Sequence, residues 1–313
     1  MRVLFAGSPA IAVPSLEAVY GREGIELAGV LTNPDSPKGR HGTPQPTDVA
    51  EAAQKMNGVP VLKPLKLDAP VREQIGLLKP DLLVSFAYGR IFGSKFLALF
   101  PFGGINIHPS LLPKYRGPSP IQTAILNRDT ITGITAQTLA LEMDQGDILS
   151  AEQIPLSGGE TAGSLGELAA LKGAQMLTEV LIKIANGTVT RTAQNHSEAS
   201  YCKLITRDDG LIDWNLGAVQ IEAKIRAFNP WPLCRTVHDG RELFILEAGI
   251  FKGQTAEKSR GRVLGIDKNN GILIQTGDGI LSVTKLQYQA KKALFWRDFL
   301  NGVRDFSDSQ LGF

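Results

Sequence analysis

Three residues carry the chemistry that this sequence can offer. Asn106 and His108 close the short apolar run Gly104–His108, and Asp144 lies in LALEMDQGDILS, residues 139–150. A spacing of two puts Asn106 and His108 on one face of an extended strand. Pro109 and Pro113 follow at once, bar a helix and set the exit path of the chain. A lone His at a strand end is more often structural than catalytic, but this one has company. A carboxylate beside an imidazole orients it and stabilises its cation, which suits Asp144. Asp147, in the same stretch, reads as a solvated loop carboxylate. The Asn amide offers a donor to a developing oxyanion, and the imidazole offers a proton relay. The motifs of other chemistries are missing: no GxSxG elbow, no HExxH and no Walker loop, and AGSPA after the first apolar run lacks the GxGxxG pattern. The set suits a transfer between two bound substrates held close together, with no metal.

The elements that must position these residues are legible as patterns. Val3–Ala6, IELAGVLT (25–32), DLLVSFA (81–87) and GINIH (104–108) are short, nearly continuous apolar runs. That is the pattern of strands buried on both faces of a parallel sheet. Helical patterns at 10–20 and 47–57, the second after Thr47 as N-cap, alternate with them. The order argues for an open α/β fold, in which active groups gather beyond the carboxyl ends of the strands. LALEMDQGDILS reads as a further strand followed by an acidic, Gly-containing loop, with Asp144 at its mouth. A longer amphipathic helix is predicted over 165–185, stopped by Asn186-Gly187. The texture changes near residue 190: TVTRTAQNHSEASYCKL is polar and aperiodic, which suits a linker. After it come one helix, 218–228, and alternating segments separated by Asp239-Gly240, Asn270-Gly271 and Asp278-Gly279, which read as hairpins. Many short strands in about a hundred residues suggest a small β-barrel. The expected organisation is a first domain over 1–189, a linker over 190–207 and a β-barrel over 208–313.

Composition sets the outer bounds. The chain has 313 residues, 43% hydrophobic and 20% charged, with a formal net charge of +2. Two domains are the natural expectation at that length. The charge is too small to announce a nucleic-acid partner, so any basic footprint must be local. The two cysteines, Cys202 and Cys234, sit in no CxxC pair and read as reduced, buried thiols. No apolar stretch is long enough to span a bilayer, and Gly7-Ser8-Pro9 breaks the apolar start too early for a signal peptide. A cytoplasmic location and a monomer are the expectations that follow, with no membrane contact.

The stretch NIHPSLLPKYRGPSPIQTAI, with MDQGDIL downstream, closely resembles the folate-dependent formyltransferases. The resemblance implies a Rossmann-like, mostly parallel first domain followed by a small OB-like β-barrel. It implies that Asn106, His108 and Asp144 are the catalytic set. It also implies that Ser110, Leu111, Leu112 and Pro113 line a tetrahydrofolate site. FAYGRIF (86–92) resembles the family's pterin-pocket segment, where backbone near Arg90 would read the pterin edge and Phe92 would give apolar contact. The implied co-substrate is 10-formyltetrahydrofolate, without metal. IDWNLGAVQIEAKIRAFNPWPLC (212–234) and TNPDSPKGRHGTPQPTDVAEAA (32–53) resemble those members of the family that formylate initiator methionyl-tRNA. Lys38 and Arg40 would then contact the tRNA. Family loops commonly add lysines after that Arg, whereas this one reads His41-Gly42-Thr43. Two alternatives stay open. One is formylation of an amino sugar linked to a nucleotide, against which the AFNPWP stretch and the 37–40 loop argue. The other is a non-catalytic tRNA- or folate-binding protein, against which the intact Asn-His-Asp set argues.

Overall fold

The computed structural model describes residues 1–38, 42–253, 259–303 and 305–312. The chain forms two compact units. The first comprises Met1–Pro120, Ile131–Pro155 and Gly166–Lys203, and the second Ile121–Thr130, Leu156–Leu165 and Leu204–Phe313.

Strands of the first unit are, in chain order, β1 (Arg2–Gly7), β2 (Glu26–Leu31), β3 (Ser36–Lys38), β4 (Thr43–Gln45), β5 (Val61–Leu62), β6 (Leu82–Phe86), β7 (Gly104–His108), β8 (Ile131–Thr138) and β9 (Ile148–Pro155). Among the described residues, seven of them form one sheet in the order β5-β2-β1-β6-β7-β8-β9. The pairs from β5 to β7 are parallel; β8 and β9 run antiparallel. The first strands are apolar on both faces because both faces are covered. Leu4 and Leu83 join Phe96 and Phe100 in one core cluster. The helix Ala162–Ala185 comes so close to the sheet that a Cβ on Gly173 would lie 3.0 Å from Ile107 and Ile134. Thr47 caps the helix Asp48–Ala53, its Oγ1 accepting from the Ala50 N–H at 3.1 Å.

Two sequence expectations shift. The strand expected to run into MDQGDIL ends earlier, at Thr138, and residues 139–147 are loop. The loop closes tightly: Thr138 N donates to the Asp147 carbonyl and Asp147 N to Thr138 Oγ1, at 2.9 and 2.8 Å. A Cβ on Gly146 would meet the Thr138 carbonyl oxygen at 1.7 Å, so only Gly fits there. Of the stretch expected as a linker, residues up to Lys203 lie in the first unit and the rest in the second. Thr192 bridges Ile148 and Tyr201 bridges Arg116. Polar, aperiodic sequence shows no periodicity when its groups pair with neighbours one by one.

The second unit contains the helix Ala218–Ala227 and β10 (Cys234–His238), β11 (Arg241–Phe251), β12 (Val263–Asp267), β13 (Gly271–Gln275), β14 (Ile280–Tyr288) and β15 (Leu294–Phe295). The pairing order is β10-β11-β14-β13-β12, antiparallel throughout, with β15 on β14. Asp239 and Gly240, both at positive φ (49° and 70°), make the two-residue turn between β10 and β11. Among the described residues β10 and β12 do not pair, so strand pairing alone closes no barrel. The C-terminal segment instead bridges both edges: Gly312 pairs with Val237 and Gln310 with Arg262. Cys234 is buried, and burial pushes its thiol pKa up to about 12.

Candidate active site

β7 is where the parallel sheet ends and the antiparallel edge begins. Asn106 pairs with Gln137 of β8, and His108 pairs with Thr135. The chain then leaves β7 through a loop held by many bonds. Ser110 N donates to the His108 carbonyl at 2.9 Å. The buried Thr135 hydroxyl donates to the Ser110 carbonyl at 2.7 Å and accepts from Leu112 N at 3.2 Å. The Leu112–Pro113 peptide is cis, Tyr115 sits at φ 61° and Gly117 at φ 113°. A Cβ on Gly117 would lie 2.5 Å from the Cys202 carbonyl oxygen, so this position takes only glycine.

The loop folds back to bring Asp144 to β7. Asp144 is itself at φ 55°, a left-handed conformation that Asp tolerates. Its Oδ2 accepts from Gly117 N at 2.8 Å. Its Oδ1 accepts from Gln137 Nε2 at 2.9 Å and, more loosely, from Asn106 Nδ2 at 3.4 Å. His108 Nδ1 lies 3.6 Å from the same oxygen, with the imidazole 5% and the carboxylate 12% exposed. His108 Nε2 meets the Tyr115 carbonyl at 2.9 Å. A carbonyl only accepts, so that nitrogen carries a proton. Both ring nitrogens therefore face acceptors, and a substrate oxygen that accepted from the Nε2–H would replace the Tyr115 carbonyl. Asn106, His108 and Asp144, separated by up to 38 residues, come together at the end of β7. Asp147 stays apart as a turn residue.

The expected folate residues differ in what they present. Leu111 and Pro113 are half-buried, while Leu112 is buried. Ser110 is fully buried and its hydroxyl donates to the Lys114 carbonyl at 2.6 Å. Phe92 is turned into the core, stacked between Tyr88 and Phe96 at 5.4 and 5.2 Å. Arg90 Nη1 donates to the carbonyls of Pro64 and Leu65, at 3.0 and 2.8 Å. Ala87, Gly89 and Ile91 are the exposed positions of that turn. Burial raises the Tyr88 pKa, and its hydroxyl has no partner among the described residues. Lys38 ends β3; Arg40 lies outside the described residues.

Sequence reasoning missed Gln137, Gln194 and Arg116. Gln137 had a signal: a carboxamide in the otherwise apolar ITGITAQT run, now 1% exposed. Arg116, 1% exposed, lay inside the NIHPSLLPKYRG stretch, and Gln194, 6% exposed, had no signal, because a polar residue in a polar stretch reads as surface.

Asn106, His108 and Asp144 gather at the end of β7, where a mostly parallel sheet meets its antiparallel edge, and this is the frame of a group-transferase site. The sequence matches the formyl transferase family over residues 1–181 and that family's C-terminal domain over residues 204–304. The chain belongs to the formyl transferase family. It is 49% identical to the methionyl-tRNA formyltransferase of Treponema denticola, covering 98% of both chains. It is 41% identical to the protein of the same name from Borrelia hermsii, covering 97% of this chain and 98% of that one. Among solved structures, WlaRD, a sugar 3N-formyl transferase, superposes with a TM-score of 0.65 at 20% identity, over 93% of this chain and 99% of that one. HypX from Aquifex aeolicus in complex with tetrahydrofolic acid gives 0.64 at 18% identity over 98% of this chain, which spans 48% of HypX. At such identities these two likenesses establish the fold.

Proposed function

We propose that this chain transfers the formyl group of 10-formyltetrahydrofolate to the α-amine of initiator methionyl-tRNA, giving N-formylmethionyl-tRNA for translation initiation. The observation that carries the reading is the near full-length identity to relatives of that name, 49% over 98% of the chain. The cluster at the end of β7 fits the chemistry. The amine nitrogen bonds to the formyl carbon and the carbonyl pair moves onto oxygen. Collapse of that oxyanion breaks the bond from carbon to N10; the ammonium loses a proton and N10 gains one. Asn106 Nδ2 and the His108 Nε2 proton are the donors for the oxyanion, the second by exchanging Tyr115 for the substrate. Asp144 holds His108 and receives the proton of the amine, and His108 relays a proton to N10 as it leaves. Removing one such donor costs roughly 3–4 kcal/mol in comparable oxyanion sites.

Folate fits the surface next to the cluster. Half-buried Leu111 and Pro113 offer apolar contact, and the exposed 87–91 turn offers backbone groups to a pterin edge. Residues 1–189 are then the catalytic domain. Residues 208–313 are an OB-like barrel with the C-terminal segment as its seam, and it contacts tRNA together with Lys38 and Arg40. Cations over rings on that barrel suit RNA: Lys285 over Phe295 at 5.2 Å and Arg297 over Trp296 at 4.8 Å.

The test is direct. The protein is incubated with 10-formyltetrahydrofolate and either methionyl-tRNA or an amino-sugar nucleotide. Formylation of the tRNA is expected, with His108→Ala and Asp144→Ala lowering turnover by about 10²–10⁴-fold and leaving folate binding nearly intact. Formylation of the sugar alone, or of neither, overturns the reading.

A further inference from the structure

Asp144 is the end of a chain of hydrogen bonds that begins at a buried cation. Arg116 is 1% exposed, and its guanidinium reaches an amide oxygen and a phenol oxygen. Its Nε and Nη2 donate to Gln194 Oε1 at 3.1 and 2.7 Å, and its Nη1 donates to Tyr201 Oη at 3.0 Å. Its Nη2 also meets His196 Nδ1 at 3.2 Å. Because a guanidinium only donates, Gln194 must present its oxygen to Arg116 and its NH₂ to the other side. That NH₂ reaches the Asp144 carbonyl at 2.9 Å, the Gly146 carbonyl at 2.7 Å and Gln137 Oε1 at 3.2 Å. Gln137 is oriented in turn, and its Nε2 donates to Asp144 Oδ1 at 2.9 Å. Every bond from guanidinium to carboxylate points the same way, so each polarises the next. Both ends are charged, which makes the end bonds the strong ones.

We propose that Gln194 is a positioning residue for formyl transfer: with Arg116 behind it and Gln137 ahead, it holds the backbone and the carboxylate of Asp144 against His108 and Asn106. Gln194 lies in neither of the two stretches that match the family, which end at residue 181 and resume at 204. Its place in the structure assigns it to the site. The backbone carbonyls of Asp144 and Gly146, the two nearest acceptors of its NH₂, hold the left-handed turn at Asp144, which an unbraced loop would leave for a commoner conformation. Transfer depends on that carboxylate only when charge develops, so the loss falls on turnover and not on binding.

The proposal rests on the assignment of Asp144 above, and the experiment separates the two. Full-length wild type, Gln194→Leu, Asp144→Asn and the double variant are assayed for formylation of methionyl-tRNA, with folinic acid binding and melting temperature measured on each. Wild type that formylates no tRNA, or Asp144→Asn at the wild-type rate, overturns the assignment of Asp144 and this inference with it. With those controls in place, Gln194→Leu should lower kcat by about 10–100-fold, the worth of a hydrogen bond to a charged group. KM for tRNA and folinic acid affinity should stay within about twofold of wild type. In the Asp144→Asn background the same substitution should cost almost nothing further, because its target is already gone. A kcat within twofold of wild type, or a loss that multiplies in full in the double variant, overturns the inference. If Gln194→Leu does not fold, Gln137→Leu removes the final donor without touching residues 192–202. A folded Gln137→Leu at the wild-type rate overturns the inference, and one that loses kcat alone, non-additively with Asp144→Asn, supports it.

Discussion

Gly117→Ala is the smallest change that strikes the site, and its cost can be worked from the backbone. At φ 113° an L residue is strained by about 1–2 kcal/mol. The new methyl would also sit 2.5 Å from the Cys202 carbonyl oxygen, a backbone atom that cannot swing aside. Relieving such an overlap costs roughly 1–3 kcal/mol more. Residues 115–117 can escape only by moving away from Cys202, which draws the Gly117 N–H off Asp144 Oδ2, now at 2.8 Å. A hydrogen bond to a charged acceptor is worth about 1.5–3 kcal/mol. The variant should therefore melt about 5–15 °C lower and lose about 10–100-fold in kcat at saturating substrates. Gly158→Ala is the control, since Gly158 has φ 89° but nothing within 4 Å of its added methyl. It should carry the strain of about 1–2 kcal/mol alone and keep kcat. Scanning calorimetry and single-turnover formylation measure both. A Gly117→Ala protein with wild-type melting and turnover would refute the packing argument and the bond from Gly117 to Asp144 together.

Two further outcomes follow from particular groups. Thr135→Val leaves Leu112 N and the Ser110 carbonyl without the hydroxyl that serves both. The loss should be about 1–3 kcal/mol of stability with folate affinity weakened by a loosened 110–113 loop, readable by calorimetric titration; unchanged affinity removes Thr135 as the brace of that loop. His238 is 1% exposed and its Nδ1 meets Tyr288 Oη at 2.5 Å, and burial lowers its pKa from 6.5. The unfolded chain then binds a proton at His238 that the folded chain refuses. The second unit should lose stability as pH falls below about 6.5, the ordinary value of the group, and a His238→Phe protein should lose less of it over the same range; parallel melting curves against pH would exclude His238 as the source.

Much of the first unit is determined by local pattern. The apolar runs at 3–6, 81–87 and 104–108 became β1, β6 and β7, since a strand covered on both faces needs no polar alternation. Thr47 announced a helix start, and Asp239-Gly240 a hairpin, because cap and turn chemistry act within a few residues. Asn106 and His108 were legible as a pair because two residues of one strand share a face whatever the tertiary structure. Other features came only with the tertiary structure. The end of β8 at Thr138 depends on Gly146 nesting against a carbonyl across the turn. The edge-bridging C-terminal segment depends on Gly312 finding Val237, 75 residues earlier by their numbers. Above all, the charge that braces Asp144 comes from Arg116 through Gln194, two residues 78 apart. Sequence reports periodicity and nearby caps. It does not report which buried amide meets which distant guanidinium, because that is set by where β7, β8 and the 192–202 segment lie once the sheet has formed.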